Sequence, residues 1–433
     1  MERIYYPELE EQLYREQLPN GLAVAVVPRP GFQRKIAYLI TDRGSMHRHF
    51  LLDGNAVTAP MGIAHYLEHK LFDMPGRDIS EEFAALGANP NAFTSYDMTA
   101  YYFSCTENFT PALELLLEFV TTPWFTSEGV QKEREIIGQE IDMNEDAPET
   151  RVFENLVEAM YRVHPIREPI LGTRESIGQI TPEVLTLCHR ACYGLENMLL
   201  CVVGDVDPEE VCAAARRKLP ENPTPSGQKT ALPPEEMTCL QDRITARMEV
   251  AMPMFQLGFK ARDPGLGEEA ARRELVGDLA AEALFGESSE LYLRLYEEGI
   301  IDSSFGGGLE TVEGMAMLTA SGDSWDPDRI REEILAQAEK LVRTGIPQED
   351  FLRMKRSALG RRVRDLDSFE STCFRVCAYH FTGFDYFRFP QVFRAVEEKE
   401  VLAFIQETVT RERCCLSVVY PLDEEKEDNH ESQ

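Results

Sequence analysis

At 433 residues the chain is too long for one ordinary domain, and its 43% hydrophobic content can fill two cores. A formal net charge of -31, from 44 basic and 75 acidic residues, argues against nucleic acid or an anionic membrane as partner. Ten cysteines are too sparse for a disulfide scaffold and no apolar run approaches a membrane span, so the expectation is a reduced, soluble, cytoplasmic protein.

The opening Met1 to Pro7 is mixed in character, lacks the apolar core of a secretion signal, and leads into the charged run Glu8 to Glu16. Asn20-Gly21 reads as a turn feeding a buried strand over Leu22 to Val27, which stops at Pro28. Ala37 to Ile40 predicts the next strand, closing at Asp42 to Ser45. A long loop follows, in which His47 and His49 read as solvent-exposed. Next comes Gly62-Ile63-Ala64-His65-Tyr66-Leu67-Glu68-His69-Lys70. Helical spacing sets residues 65, 68 and 69 on one face. Two imidazoles one turn apart can grip one zinc ion, and a carboxylate between them can take a proton from water held there. H-x-x-E-H is the inverzincin order. The competing reading is an amphipathic helix with two surface histidines.

Ala100 to Cys105 predicts a strand, Leu113 to Thr121 and Glu128 to Met143 helices, and Met198 to Gly204 a late strand before a helix capped at Asp207-Pro208. Cys188 and Cys192, like Cys373 and Cys377, lie four apart in helical segments and read as buried, reduced thiols. The proline-rich stretch 220–238 is a linker. Beyond it the pattern restarts, with strands at Val250 to Lys260, Met315 to Ala320 and Cys414 to Tyr420, and helices at Arg272 to Phe285 and Glu349 to Arg364. The acidic tail 423–433 is expected to be disordered. The fold class is therefore α+β, with two homologous α/β-sandwich halves at 1–219 and 239–422. Aligning Leu71-Phe72 with Leu284-Phe285 sets Asp278, Ala281 and Glu282 against His65, Glu68 and His69. Aligning Glu128 with Glu349 sets Arg361 against Glu140, so only the first half keeps metal ligands.

A catalytic zinc needs a third protein ligand. Glu133 and Glu140 stand seven apart, two turns along one helix face, and Glu140 is flanked by Ile136, Ile137 and Ile141. A carboxylate in such company is costly unless paired or bound to metal. Periodicity alone does not choose Glu140 over Asp142, Glu135 or Glu145.

The chain resembles the insulinase/pitrilysin (M16) metallopeptidase family, in its half-length bacterial form, which includes proteins associated with modification of elongation factor P. The likeness runs through Leu18 to Leu22, His65 to His69, Asn91 to Ser95 with Thr99 and Tyr101, Glu133 to Glu140, and Asn197 to Asp205. It implies a zinc endopeptidase with His65, His69 and Glu140 as ligands, Glu68 as the base, and Glu133 as a carboxylate that orients a ligand histidine. It also implies that Asn91 and Ala92 lie on an edge strand to which a peptide substrate adds, although Asn91 reads equally as a turn residue after Asn89-Pro90. Thr94, Tyr96, Asp97 and Tyr101 read as structural. Full-length relatives supply an arginine and, seven residues later, a tyrosine to steady the intermediate. Arg294 matches the first, but Ile301 stands at the second. The resemblance further implies a closed chamber built by a homodimer or by a heterodimer with a related chain. The alternative is a non-catalytic or chaperone-like subunit of such a heterodimer.

Overall fold

The computed structural model describes residues 1–223 and 225–422, and the acidic tail foreseen at 423–433 lies outside them. Two mixed sheets organise the chain. The first has seven strands in the spatial order Glu2–Tyr6, Glu11–Gln17, Ala23–Pro28, Met198–Gly204, Lys35–Thr41, Thr99–Cys105 and Ala88–Thr94. The second has five, ordered Arg243–Met248, Cys414–Pro421, Met254–Ala261, Met315–Asp323 and Gly306–Val312.

The five-strand pattern occurs twice. In each half the first strand pairs in parallel with the last, and every remaining neighbour is antiparallel. Each pattern ends on a free edge strand, Ala88–Thr94 in the first half and Gly306–Val312 in the second. The repeat is thus one of topology as well as of sequence pattern.

The helices Ile63–Leu71, Phe109–Thr121 and Pro208–Lys218 contribute to the apolar cluster on one face of the first sheet. Its other face meets the helix Phe369–Phe381 of the second half, where the Cys373 Sγ lies 3.8 Å from the Cys201 carbonyl. Reciprocally, the helix Pro148–Met160 of the first half covers the second sheet. Each half therefore lends the other a helix, and the largest core runs through both. All ten cysteines are free thiols. Among the described residues, no helix is long and apolar enough to cross a membrane.

Several segments differ from the sequence expectation. The charged start forms a strand hairpin, Glu2–Tyr6 with Glu11–Gln17. Within it Glu11 and Leu13 point inward, and Glu11 is neutralised by Arg29, so charge hid a period-two pattern. The expected long loop contains the hairpin His49–Leu52 with Asn55–Thr58. His47 is buried rather than exposed: its Nδ1 accepts from the Gly44 N–H, and its Nε2 faces Glu313 at 3.2 Å. The strand Arg243–Met248 had no counterpart in the sequence reading, and the following strand starts at Met254 rather than Val250.

Candidate metal centre

The helix Ile63–Leu71 begins at Gly62, whose φ of 84° is left-handed. A Cβ there would lie 2.3 Å from the Leu171 carbonyl oxygen, so the close approach that seats this helix requires glycine. The helix Ser127–Glu145 is started by Thr126, whose hydroxyl accepts from the Gly129 N–H at 3.1 Å. The two helices pack together, with Ile137 and Ile141 buried among Tyr66, Leu67 and Leu71. Tyr66 donates to the Val130 carbonyl and fixes their register.

That packing brings His65, His69 and Glu140 to one point. His65 Nε2 lies 3.6 Å from one Glu140 oxygen and His69 Nε2 lies 3.6 Å from the other. Among the described residues, these three are the one group of His, Cys, Asp or Glu side chains whose donor atoms all lie within 4.8 Å of one another. The 3.6 Å gaps are too long for hydrogen bonds. Two donors each about 2.0–2.2 Å from one tetrahedral ion would stand roughly 3.3–3.6 Å apart. Two imidazoles and a carboxylate are also a donor set that suits zinc, so the residues present fit such an ion.

Glu133 stands behind His69. Its Oε1 accepts from His69 Nδ1 at 2.9 Å, and since a carboxylate can only accept, the ring proton sits on Nδ1. The Nε2 lone pair is therefore left facing Glu140. Burial works against charge on His69, but the hydrogen bond to Glu133 and the carboxylates of Glu68 and Glu140 raise its pKa above the ordinary value. His65, facing Glu140, holds that carboxyl below its usual range against the effect of partial burial.

Glu68, about one turn from His65 and next to His69 in the chain, accepts a 2.6 Å hydrogen bond from the Thr94 hydroxyl. Burial raises its pKa, with Thr94 and the two histidines opposing the rise. Thr94, expected from sequence to be structural, ends the edge strand and through this bond belongs to the cluster. Its contact crosses between separate elements, so no spacing rule could have found it.

Asn91 and Ala92 lie on that same free edge, and the Asn91 side-chain oxygen accepts from the Ala92 N–H at 2.8 Å. Arg294 lies elsewhere, in a two-pronged pair with Glu333 at 2.9 and 2.7 Å. Among the described residues, no hydrogen bond or ion pair joins it to the histidines. Ile301 is buried in the core. In the second half, Arg361 pairs with Glu282 at 3.0 Å. These are the positions that the internal alignment sets against Glu140 and His69, so an ordinary ion pair stands where the first half gathers metal-type donors.

The chain is similar to known proteins over most of its length. The model for the insulinase family, peptidase family M16, matches residues 56–174, and that for the peptidase M16 inactive domain matches residues 179–358. An uncharacterized zinc protease of Bacillus subtilis, YmfH, is 37% identical over 96% of this chain and 99% of its own. A crystal structure from Alicyclobacillus acidocaldarius, proposed to be an M16-like peptidase, superposes with a TM-score of 0.92. It is 31% identical and covers 97% of this chain and 100% of its own. The crystal structure of a protease from Helicobacter pylori shares the fold, with a TM-score of 0.80 at 20% identity over 95% of this chain and 100% of its own.

Proposed function

Since this chain belongs to the insulinase (M16) family of peptidases, we propose that it is a zinc-dependent endopeptidase acting on peptides or unfolded protein segments. The observation that carries the reading is the convergence of His65 Nε2, His69 Nε2 and the Glu140 carboxylate, with Glu68 on the same helix between the two histidines in sequence. His65, His69 and Glu140 would hold the ion, and Glu133 keeps the His69 ring turned toward it. When bound, zinc supplies Lewis acidity, polarising a carbonyl and acidifying water.

Every other step belongs to side chains of the chain. Glu68 takes a proton from the attacking water and later delivers it to the leaving amine, while the Thr94 hydroxyl holds the carboxylate in line. The substrate lies along the edge strand Ala88–Thr94 as an added strand, held by main-chain hydrogen bonds that tolerate many sequences. In the free chain the Asn91 side chain occupies the Ala92 N–H, and a substrate carbonyl takes its place. The Arg294–Glu333 pair belongs to the second half and Ile301 is buried. We therefore assign closure of the chamber to a second chain, identical or related. Free thiols throughout fit a cytoplasmic setting.

Glu68→Gln tests the reading. The variant is expected to bind zinc as wild type does, by elemental analysis, and to lose peptide cleavage in a library digest. Cleavage at the wild-type rate would remove Glu68 from the chemistry. A wild-type chain that binds zinc yet cleaves nothing, alone or with its co-purified partner, would favour the non-catalytic subunit. Active monomer in light scattering would exclude the two-chain chamber.

A further inference from the structure

We propose that Lys70 is a positioning residue for this centre: its ammonium fixes Glu133 and, through Glu133, the ring of His69. The inference rests on the zinc reading above and concerns how that site is held. Lys70 directly follows His69 in sequence and is only 1% exposed. A buried ammonium is costly unless paired. Its Nζ lies 2.5 Å from Asp73 Oδ2 and 4.0 Å from Glu133 Oε2. The other Glu133 oxygen accepts from His69 Nδ1. One carboxylate therefore stands between an ammonium and an imidazole, presenting one oxygen to each.

The surroundings are shaped for this arrangement. A Cβ at Gly129, in the first turn of the glutamate helix, would sit 3.0 Å from both Lys70 Nζ and Asp73 Oδ2. That helix thus leaves room for the ion pair immediately beside Glu133. Asp73 is half exposed and shares its charge with water, whereas Glu133 is mostly enclosed. Attraction to Lys70 is correspondingly less screened at Glu133. Carboxylates that orient a ligand histidine are effective only when they are themselves held. Lys70 supplies that hold from the side away from the metal ligands.

The test uses the full chain and zinc alone as probe. Zinc dissociation constants come from chelator competition, and melting of the metal-free chain reports the fold. Lys70→Met is expected to weaken zinc binding about tenfold or more, and Lys70→Arg to restore most of it. In a Glu133→Gln background, Lys70→Met should cost less than about twofold, because the pair acts as one unit. Should Lys70→Met fail to fold, Lys70→Gln carries the same cycle. Wild-type affinity in the variant that folds, or a penalty equally large with and without Glu133, would overturn the role. A wild-type chain that takes up no zinc would sink both the site and this role. Binding abolished by His65→Ala but unmoved by Lys70→Met would sink the Lys70 role alone.

Discussion

Thr94 shows how much one hydroxyl can carry. It ends a free edge strand, yet its 2.6 Å bond to Glu68 makes it part of the cluster built on the histidine helix. Thr94→Val keeps the shape and the β-branch of the strand while removing the donor. A hydrogen bond to a charged group contributes about 1.5–3 kcal/mol. The variant should therefore lose roughly tenfold to a hundredfold in kcat with little change in KM or melting temperature, measured on a peptide taken from the library digest. Unchanged kcat would return Thr94 to a purely structural role. His65, Glu68 and His69 were legible in sequence because positions i, i+3 and i+4 must share a helix face. Glu140 was not, because six acidic residues crowd the helix Ser127–Glu145 and period alone cannot rank them. The structure separates them by partner: Asp142 pairs with Arg174 at the surface, Glu133 serves His69, and only Glu140 meets both imidazoles.

Among elements, the histidine helix depends most on a single residue. Gly62 combines a left-handed φ of 84° with a carbonyl 2.3 Å from where a Cβ would stand. Gly62→Ala pays for strained backbone and must also move Leu171 or the helix start. A left-handed non-glycine residue alone costs about 1–3 kcal/mol, so a loss of at least ~2 kcal/mol in denaturant unfolding is expected. Weaker zinc binding should accompany it as His65 is displaced. An alanine variant as stable as wild type would mean that the Leu171 segment yields freely. Sequence pattern located the elements that are apolar throughout, such as Met198–Gly204, whose seven residues are all buried. It missed Glu11–Gln17, where the inward residue Glu11 is itself charged and masks the alternation, and Arg243–Met248, whose parallel partner Cys414–Pro421 lies far along the chain. It also could not foresee that each half would cover the other's sheet, since exchanged helices carry no local signal.

At the scale of the whole molecule, the halves are joined by those exchanged helices and by a charged anchor on the connector between them. Glu235 accepts from the backbone N–H groups of Arg162, Val163 and His164 at 2.8–3.1 Å. It also accepts from Lys260 Nζ at 2.9 Å. Lys260 belongs to the second sheet, is 1% exposed, and lies 4.5 Å from the centre of the Tyr161 ring. One carboxylate thus ties a loop of the first half to a buried ammonium of the second. Burial alone would push the Glu235 carboxyl up, but the three backbone donors and Lys260 overrule it and bring it down to about 2. In the unfolded chain the same group titrates near 4.5. As pH falls, the unfolded state takes up the proton first, so the stabilisation is complete above 4.5 and is lost between 4.5 and 2. Allowing for solvent screening, that loss is about 1–2 kcal/mol. Glu235→Gln should cost about 2–4 kcal/mol at pH 7, because Lys260 is left without its counter-charge. The same variant should show a shallower fall in stability between pH 7 and pH 3 than wild type. Urea unfolding at the two pH values measures both effects. Parallel pH dependence in wild type and variant would show that the acid sensitivity of the joined halves arises elsewhere than at this anchor.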